Sequence, residues 1–286
     1  MKIRKIDWNG NFLTGGVRIM INQSNIERFS GFADTYDQFR PSAPKMVPEI
    51  VGGYLGRRPR RVVDIGCGTG LSSMIWKGLA DEVVGVEPND DMRAVAERKA
   101  EGFPDFHFAK GLSNATGLEG ESVDVVTISQ AFHWMDSDST LAEVDRVLAP
   151  GGVLAVFDCD WPPVVDSEVE MEYLRLHALC EEVSMQVNNQ VSRKEKGNHL
   201  EAIQSSGLFR YVREVVFHHT EAVGADRMVG ILLSQGGIQA ALRAEPLIRT
   251  EIDGFANLVR KRMGEAERET VFSYRMRLGV KAYETV

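Results

Sequence analysis

The stretch Arg61-Val-Val-Asp-Ile-Gly-Cys-Gly-Thr-Gly70 decides the fold of this chain. Its first five residues form a mainly β-branched run that is typical of a buried strand, and the glycines that follow end the strand. Strand and helix patterns then alternate as far as residue 157. Because the strand patterns are continuously apolar, they indicate a parallel sheet covered by helices on both faces. The sequence therefore predicts an α/β fold with a Rossmann-like, doubly wound sheet.

The predicted sheet has seven strands and is mostly parallel. The first six strands cover residues 61–65, 82–87, 106–109, 123–128, 153–157 and 211–218. Residues 271–280 alternate strictly between apolar and other side chains, so we expect a half-exposed last strand that is antiparallel, because no crossover follows it. Helical patterns cover residues 71–79, 90–101, 139–148, 167–187, 199–206, 224–234 and 245–263. We expect Asp90 to cap the second of these helices and Gly102 to follow its end.

The segments outside this alternation predict a short extension and a single domain. Residues 1–23 are expected to be an extension, either disordered or folded as a small hairpin around Thr14-Gly15-Gly16, and residues 24–286 the domain. Residues 24–55 are amphipathic and predict an N-terminal helical lid. It is broken into two pieces at Arg40-Pro41, because a residue before proline avoids the helical conformation. Residues 158–207 predict a helical insert between strands five and six.

Composition narrows the class of ligand. The 286 residues are 43% hydrophobic and 26% charged, with a formal net charge of −8, and this acidic balance argues against a nucleic acid partner. The three cysteines are widely spaced and form no metal-ligand pattern, so we expect reduced thiols in a cytoplasmic protein. No apolar run reaches the length of a membrane span, so we expect no membrane partner. The sequence leaves open whether the protein is a monomer or a homodimer.

The glycine turn after the first strand indicates a nucleotide-type ligand. Glycines permit a sharp turn and a close approach of the backbone to a ligand. A dinucleotide site uses G-x-G-x-x-G, whereas here the spacing is Gly66-x-Gly68-x-Gly70 with Asp64 just before it. A carboxylate is unfavourable beside a pyrophosphate and suits a ligand that lacks phosphate and carries positive charge. Glu87, at the end of the second strand, is placed to accept hydrogen bonds from both hydroxyls of a ribose.

These motifs resemble those of the class I S-adenosylmethionine-dependent methyltransferases. Residues 62–70 resemble their motif I, residues 84–89 (Val-Gly-Val-Glu-Pro-Asn) resemble their acidic ribose loop, and residues 143–152 resemble the helix and Pro-Gly-Gly turn before the fifth strand. Residues 36–41 and 130–136 resemble the type-11 branch that includes trans-aconitate methyltransferases and related small-molecule enzymes. The resemblance is clear over residues 29–157. It implies the fold, S-adenosylmethionine as cofactor and a small methyl acceptor.

The resemblance also implies roles for individual residues. Around the methionine portion of the cofactor it places Asp64, Gly66, Cys67 and Gly68, and around the ribose Glu87. Against the adenine it places Pro88, Met92, Leu112 and Ser113, and where the methyl group points it places Gln130. Relatives usually have an acidic residue at position 112, and because leucine cannot bind the adenine amino group, we expect Ser113 or its backbone to make that contact. On the lid, Tyr36 would cap the cofactor and Arg40 would pair with a carboxylate of cofactor or substrate; the alternative is a core tyrosine and a helix-ending arginine.

The methyl acceptor is less defined by the sequence. His133, three residues past Gln130, is the candidate general base, because imidazole titrates near neutral pH. The alternative is a structural histidine that packs beside Trp134, and a carboxylate acceptor would need no base. The sequence shows no Asp/Glu/His cluster of the kind that holds magnesium in catechol-type enzymes, so we expect a metal-independent reaction.

Two hypotheses of different classes follow. The first is an enzyme that methylates a small molecule on oxygen or carbon by in-line displacement. The second is a non-catalytic protein of the same fold that binds S-adenosylmethionine as a sensor or partner subunit. A dinucleotide-dependent oxidoreductase is a third hypothesis, and it requires that the protein binds NAD(P) and does not bind S-adenosylmethionine.

Overall fold

The computed structural model describes residues 23–187 and 193–283, and the predictions for residues 1–22 lie outside this range. The strands are β1 (Arg61–Ile65), β2 (Glu82–Val86), β3 (Phe106–Ala109), β4 (Val123–Ser129), β5 (Leu148–Cys159), β6 (Phe209–Val223) and β7 (Arg268–Lys281). The helices are α1 (Gln23–Glu27), α2 (Ala33–Phe39), α3 (Met46–Leu55), α4 (Asp90–Lys99), α5 (Ser137–Val147), α6 (Ser167–Val187), α7 (His199–Ser205), α8 (Ala225–Leu233), α9 (Gly236–Ala244) and α10 (Leu247–Met263).

The seven strands form one sheet in the order β3-β2-β1-β4-β5-β7-β6. Strands β1 to β5 pair in parallel, whereas β7 pairs antiparallel with both β5 and β6. The predicted α/β class, the mostly parallel sheet and its antiparallel last strand are therefore confirmed. Chain order reverses between β1 and β4, and the crevice beyond the carboxyl ends of strands at such a point is where doubly wound sheets bind ligands.

Two hydrophobic clusters cover the two faces of the sheet. The strand side chains alternate between them, so Val62 and Val125 face one cluster while Val63 and Val126 face the other. All four of these valines are inaccessible to solvent. The continuous apolar runs therefore arise from burial on both faces. None of the helices in the described ranges has the length and apolarity needed to cross a bilayer.

The helix predicted over residues 71–79 is wrong. The chain there forms turns and one short 3-10 helix, Met74–Trp76. The hydroxyls of Ser72 and Ser73 both bond Asp64 at 2.7 Å, which ties this segment to β1, and Gly78 ends it with a φ of 72°. These side-chain bonds reach back eight and nine residues to β1, so they hold the segment in turns that its own helical pattern does not predict.

Other helices differ from the predicted ones in where they begin or in their number, and each difference has an identifiable reason. The cap of α4 is Asn89 and not Asp90, because the Asn89 side chain accepts from Met92 N. The lid has three helices and not two, since a turn with Gly31 at φ 82° separates α1 from α2. Helix α9 was missed because it begins at Gly236-Gly237, residues that ordinarily indicate a loop.

The last strand is more buried than its alternation predicted. The apolar side of β7 is buried from Phe272 to Val280, as expected, but Arg277 is also only 2% exposed. Its guanidinium pairs with Asp158 at 3.1 Å and with Glu214 at 2.9 Å. The alternation predicts that a polar residue at this position faces solvent, whereas the ion pairs of Arg277 permit its burial.

Candidate functional site

A cavity of about 750 Å³ lies at the carboxyl ends of β1, β2 and β4. Its floor is the glycine turn, its side walls follow β2, β3 and β4, and its roof is formed by α1, α2 and residue Lys194 of the insert. A smaller cavity of about 50 Å³ adjoins it through Tyr36, Gly66, Gly68 and Gln130. The volume and the mixed lining are typical of a small-molecule site.

The glycine turn approaches the cavity by backbone atoms alone. Gly66 and Gly68 have φ values of 69° and 55°, a region that favours glycine. A Cβ on Gly66 would lie 2.8 Å from both the Ala131 Cβ and the Met135 Cε, whereas a Cβ on Gly68 would meet no protein atom within 4 Å. Gly66 is therefore required by the packing of the protein, and Gly68 leaves open space beside the cavity.

Glu87 places a buried carboxylate at the rim of this turn. Its Oε2 accepts from Gly68 N at 2.9 Å and its Oε1 accepts from Asn89 N at 2.8 Å. Burial raises the pKa of Glu87 to about 7, although these two backbone bonds act in the opposite direction. Each oxygen retains capacity for another hydrogen bond, so the carboxylate suits a ligand that presents two hydroxyls.

Asp64 does not reach either cavity. Its carboxylate is fully buried and accepts hydrogen bonds from the hydroxyls of Ser72, Ser73 and Thr127 at 2.7 to 2.8 Å. Burial raises its pKa, and the three hydroxyls lower it. The structure thus places Asp64 behind the turn, where it fixes the chain after Gly70, and not against a ligand.

The remaining residues predicted for the cofactor lie on one cavity or the other. The larger cavity is lined by Tyr36, Gly66, Gly68, Glu87, Pro88, Met92, Leu112, Ser113 and Gln130. The smaller cavity adds Arg40 and Cys67. Ser113 Oγ also lies 2.8 Å from Thr140 Oγ1, which orients the hydroxyl that the sequence singled out at the adenine wall.

The segment of residues 24–55 contacts the wall of the site through an aromatic and cationic stack. The Arg40 guanidinium lies 4.8 Å from the ring centroids of both Tyr36 and Trp161, and its Nη2 donates to Gln235 Oε1 at 2.9 Å and to Ser234 O at 3.3 Å. Because Arg40 is already held by protein groups, it does not present its whole fork to a ligand carboxylate. On the opposite side of the site, Asn89 Nδ2 donates to Ile26 O at 2.9 Å and so connects the residue before α4 to α1.

The far end of the cavity is built from β4 and the short segment after it. Gln130, His133, Trp134 and Asp136 line this end together with Lys194. The Lys194 backbone N–H donates to His133 O at 2.8 Å, and its ammonium donates to Ser137 Oγ at 2.8 Å. The insert therefore contributes a cation, the Lys194 ammonium, to the same wall as the residues that follow β4.

Comparison with known proteins gives a consistent result. Residues 63–156 match the family described as a methyltransferase domain. An uncharacterized methyltransferase of Mycobacterium tuberculosis is 35% identical over 130 residues, which cover 45% of this chain and 50% of the relative. A demethylmenaquinone methyltransferase of Thermus thermophilus is 36% identical over 113 residues, covering 38% and 51%. The chain spans about half the length of the relatives it matches.

The structural neighbours extend the match to the rest of the fold. A proposed type II methyltransferase from Anaeromyxobacter dehalogenans has a TM-score of 0.66 and 25% identity, and the match covers 86% of this chain and all of that one. The sheet order, the glycine turn and the matched family agree. The chain contains a class I methyltransferase domain. The expected family is thereby confirmed, whereas the trans-aconitate branch stays a prediction.

In the methyltransferase domain, His133 is poorly suited to take a proton. Its ring is only 5% exposed, and burial lowers its pKa to about 2, with the charge of Lys196 acting in the same direction. Its Nδ1 lies 3.7 Å from Asp158 Oδ1, beyond hydrogen-bond distance, and has no partner in the described ranges. The ring lies 4.8 Å from that of Trp134, as the structural alternative predicted.

A buried charge cluster that the sequence did not predict lies behind this wall. Asp158, at the end of β5, lies 3.1 Å from Arg277 Nη1, 3.2 Å from Lys196 Nζ and 3.2 Å from His199 Nδ1. Although burial raises its pKa, the hydrogen bond with His199 and the charge of Lys196 hold the pKa of Asp158 well below its usual range. The cluster joins Asp158 and Arg277 to the neighbouring residues Lys196 and His199, and because Lys196 lies in a polar run without periodicity, no local sequence signal indicates the cluster. No group of three or more metal-ligating residues forms within residues 23–187 and 193–283.

Proposed function

We propose that this chain transfers the methyl group of S-adenosylmethionine to a small molecule, on oxygen or carbon, beneath a lid formed by residues 24–55, 160–187 and 193–206. One observation carries the proposal. The buried Glu87 carboxylate and the Gly66–Gly68 turn share one wall of a cavity that continues to Gln130 and His133. One cavity therefore offers room both for a nucleoside beside Glu87 and for a second molecule beside Gln130.

The residues present fit this cofactor. Glu87 has free lone pairs for ribose hydroxyls, and burial raises its pKa to about 7 even though the charge of Arg93 acts in the opposite direction. A cofactor with an ammonium and a sulfonium group would supply positive charge near that position. Met92 and Leu112 offer apolar surface for adenine, with Ser113 at their edge. Tyr36 caps the turn from the lid.

The chain's contribution to the reaction is alignment and exclusion of water. When bound, the cofactor supplies an electrophilic methyl group on sulfur. The protein holds the two reactants in line and keeps water away from them, and such positioning accounts for most of the acceleration in displacements of this kind. Phe29 and Trp134, whose ring centroids lie 6.0 Å apart, close the roof above the far end of the cavity. Because burial lowers the pKa of His133 to about 2, we do not assign it as the base of the proposed reaction.

The relatives support a small methyl acceptor. Those with a named reaction include a demethylmenaquinone methyltransferase and a ubiquinone/menaquinone biosynthesis C-methyltransferase. The formal charge of −8 also argues against a nucleic acid acceptor. The three cysteines of the chain are free and buried, which suits a reducing compartment, and we place the protein in the cytoplasm.

Two measurements test the proposal together. Calorimetry with S-adenosylhomocysteine tests cofactor binding, and a metabolite screen that detects methylated product tests transfer. We expect Glu87→Ala to lower cofactor affinity roughly a hundredfold, since hydrogen bonds to a buried charge are lost. Glu82→Ala is the matched control, because Glu82 begins the strand that Glu87 follows but pairs with the half-buried Arg61.

The outcomes distinguish the hypotheses. Binding with product formation supports the enzyme, whereas binding without product across the whole screen favours the non-catalytic protein. Binding of NAD(P) without S-adenosylhomocysteine binding would contradict both.

A further inference from the structure

Gln130 has a strained backbone conformation that contacts with its surroundings maintain. It follows the last residue of β4 with a φ of 53°, which is uncommon for a residue other than glycine and costs about 1–3 kcal/mol. Its N–H donates to Phe157 O at 3.0 Å, which fixes the turn to β5. The residue lines both the larger and the smaller cavity, so the strained turn presents its side chain at the junction between them.

Lys196 fixes one end of the Gln130 side chain. Its Nζ donates to Gln130 Oε1 at 2.8 Å, to Asp158 Oδ1 at 3.2 Å and to Cys159 O at 3.4 Å. An ammonium group has donors only, so it selects the carbonyl end of the amide and turns the NH₂ end away. That NH₂ group has no hydrogen-bond partner in the described part of the chain and is not sealed from open space.

The neighbouring groups make this end of the cavity a place for donors. Lys194 brings a half-exposed ammonium, and His133 is neutral because burial depresses its pKa. The one carboxylate lining this end, Asp136, is occupied as the cap of α5 through Ser139 and lies 3.9 Å from Lys194. Behind Gln130, the charge of Lys196 is balanced by Asp158.

We propose that Gln130 is a specificity-determining hydrogen-bond donor that binds a carbonyl or carboxylate oxygen of the methyl acceptor, and that Lys196 is its positioning residue. This inference rests on the proposed function, because it concerns the acceptor end of the same site. Gln130 is half-buried, so solvent can satisfy its NH₂ group until a ligand displaces water from this part of the cavity. Here one end is fixed by a cation and the other is left for a ligand, at a position that the fold maintains against backbone strain.

The inference predicts which molecules this end accepts. A molecule with an oxygen lone pair beside the reacting atom gains a hydrogen bond from the Gln130 amide. A molecule without such an oxygen leaves the amide unpaired once water is excluded, which disfavours binding.

The test uses nuclear magnetic resonance on the full-length, isotope-labelled protein saturated with S-adenosylhomocysteine. The Gln130 side-chain amide is identified as the signal that Gln130→Glu removes. Sodium acetate, acetone and tetramethylammonium chloride serve as anionic oxygen, neutral oxygen and oxygen-free probes. We expect acetate and acetone to move the Gln130 amide protons downfield, and tetramethylammonium to leave them in place.

The variants separate the donor from its support. Gln130→Glu keeps the volume and the bond to Lys196 but has no donor, so affinity for acetone, followed at the Trp134 indole, should fall roughly tenfold. Using acetone avoids repulsion between two carboxylates. Lys196→Met should shift the Gln130 amide signals even without a probe and weaken acetone binding, and Lys196→Arg, which retains a cationic donor, should restore both in part. Thermal melting checks that each variant is folded.

Three results would overturn the inference. These are oxygen probes that leave the Gln130 amide unmoved, a Gln130→Glu variant that binds acetone as tightly as the parent, and a Lys196→Met variant whose Gln130 signals stay in place. Failure of the proposed function has a different signature, because S-adenosylhomocysteine would then fail to bind by calorimetry. The Lys196→Met comparison can still be read in the ligand-free protein.

Discussion

The two ends of the cavity are built by different means. At the proposed cofactor end, the floor comes from the turns that follow the adjacent parallel strands β1 and β2, where the Gly68 N–H donates to Glu87 Oε2. At the acceptor end, the wall joins the end of β4 to the insert, with Lys194 and Lys196 held against it by hydrogen bonds. The first end depends on backbone geometry within one motif, and the second depends on long-range side-chain contacts.

This difference explains which half of the proposed function can be predicted from the sequence. Backbone donors after parallel strands are positioned by the sheet itself, so any chain with the same turn builds a similar site. Side chains from separate segments meet only when the whole fold is in place, so each substitution there removes a contact between distant parts of the chain. We therefore expect mutations at the cofactor end to abolish binding, and mutations at the acceptor end to act on stability or selectivity.

The largest effect is expected at Gly66. In Gly66→Ala the new Cβ meets Ala131 and Met135 at 2.8 Å, and the positive φ adds about 1–3 kcal/mol of strain. Because both contacted residues line the cavity, we expect binding of S-adenosylhomocysteine to fall below detection in calorimetry, together with a lower melting temperature.

The matched control for that variant is Gly53→Ala on the exposed side of α3, where a Cβ meets no atom within 4 Å. It should bind as the parent does. Parent-like affinity in Gly66→Ala would remove the turn from the cofactor site.

The second effect tests the acceptor end through Asp158. In Asp158→Asn, Arg277 and Lys196 lose their shared carboxylate in a buried setting, so we expect the free energy of unfolding to fall by about 3–5 kcal/mol in chemical denaturation. Because the pKa of Asp158 is lowered in the folded protein, its contribution is present at neutral pH and is lost as the pH falls.

Asp160→Asn is the control for this cluster. Asp160 lies two residues further along, and its pair with Arg275 is nearly half-exposed, so its loss should cost less than about 1 kcal/mol. Equal effects at the two positions would show that the buried cluster has no special structural weight.

The same comparison shows what the sequence could predict. The strands of the sheet were located because β-branched runs buried on both faces have a local signature, and residues 106–109 were placed at their observed limits. Of the residues predicted for the cofactor, each except Asp64 lines one of the two cavities. Glycine spacing and a carboxylate at a strand end report on local backbone geometry, which the sequence encodes directly.

What the sequence could not predict depends on contacts between distant segments. Asp64 was assigned to the ligand because its side-chain partners, Ser72, Ser73 and Thr127, could not be recognised before the fold was known. The same two serine hydroxyls replace the helix expected over residues 71–79. Lys196 had no periodic context at all, and only the structure joins it to Gln130.

The third effect is a pH dependence that belongs to the cofactor end alone. With a folded pKa of about 7, Glu87 is largely protonated in the ligand-free protein below that pH. Since the ribose hydroxyls bind the ionised form, affinity for S-adenosylhomocysteine should rise about tenfold between about pH 6 and pH 8. The ligand-free fold should show the opposite trend. A pKa raised in the folded state stabilises it below about pH 4.5, and about 3 kcal/mol is lost as the pH rises to about 7.

Calorimetry and thermal melting across this range measure both trends. In Glu87→Gln, which cannot ionise, the difference between low and high pH should disappear, and any titration of the ligand itself is common to both proteins. An affinity change that persists in Glu87→Gln would assign the titration to another group.

The smallest effect is expected at His133, and it tests whether the acceptor end contains a base. A general base contributes about a hundredfold to ten-thousandfold to turnover, so its removal would be plain in any assay. Because burial lowers the pKa of His133 to about 2 and its Nδ1 has no hydrogen-bond partner in the described ranges, we expect His133→Asn to keep turnover within about threefold, with an unchanged pH profile. His107→Asn, at an exposed position of β3, is the matched control for loss of a histidine elsewhere. A hundredfold loss in His133→Asn with cofactor affinity intact would instead mean that substrate binding restores the basicity of the ring. The acceptor end would then supply chemistry as well as selectivity, and the contrast between the two ends of the cavity would narrow.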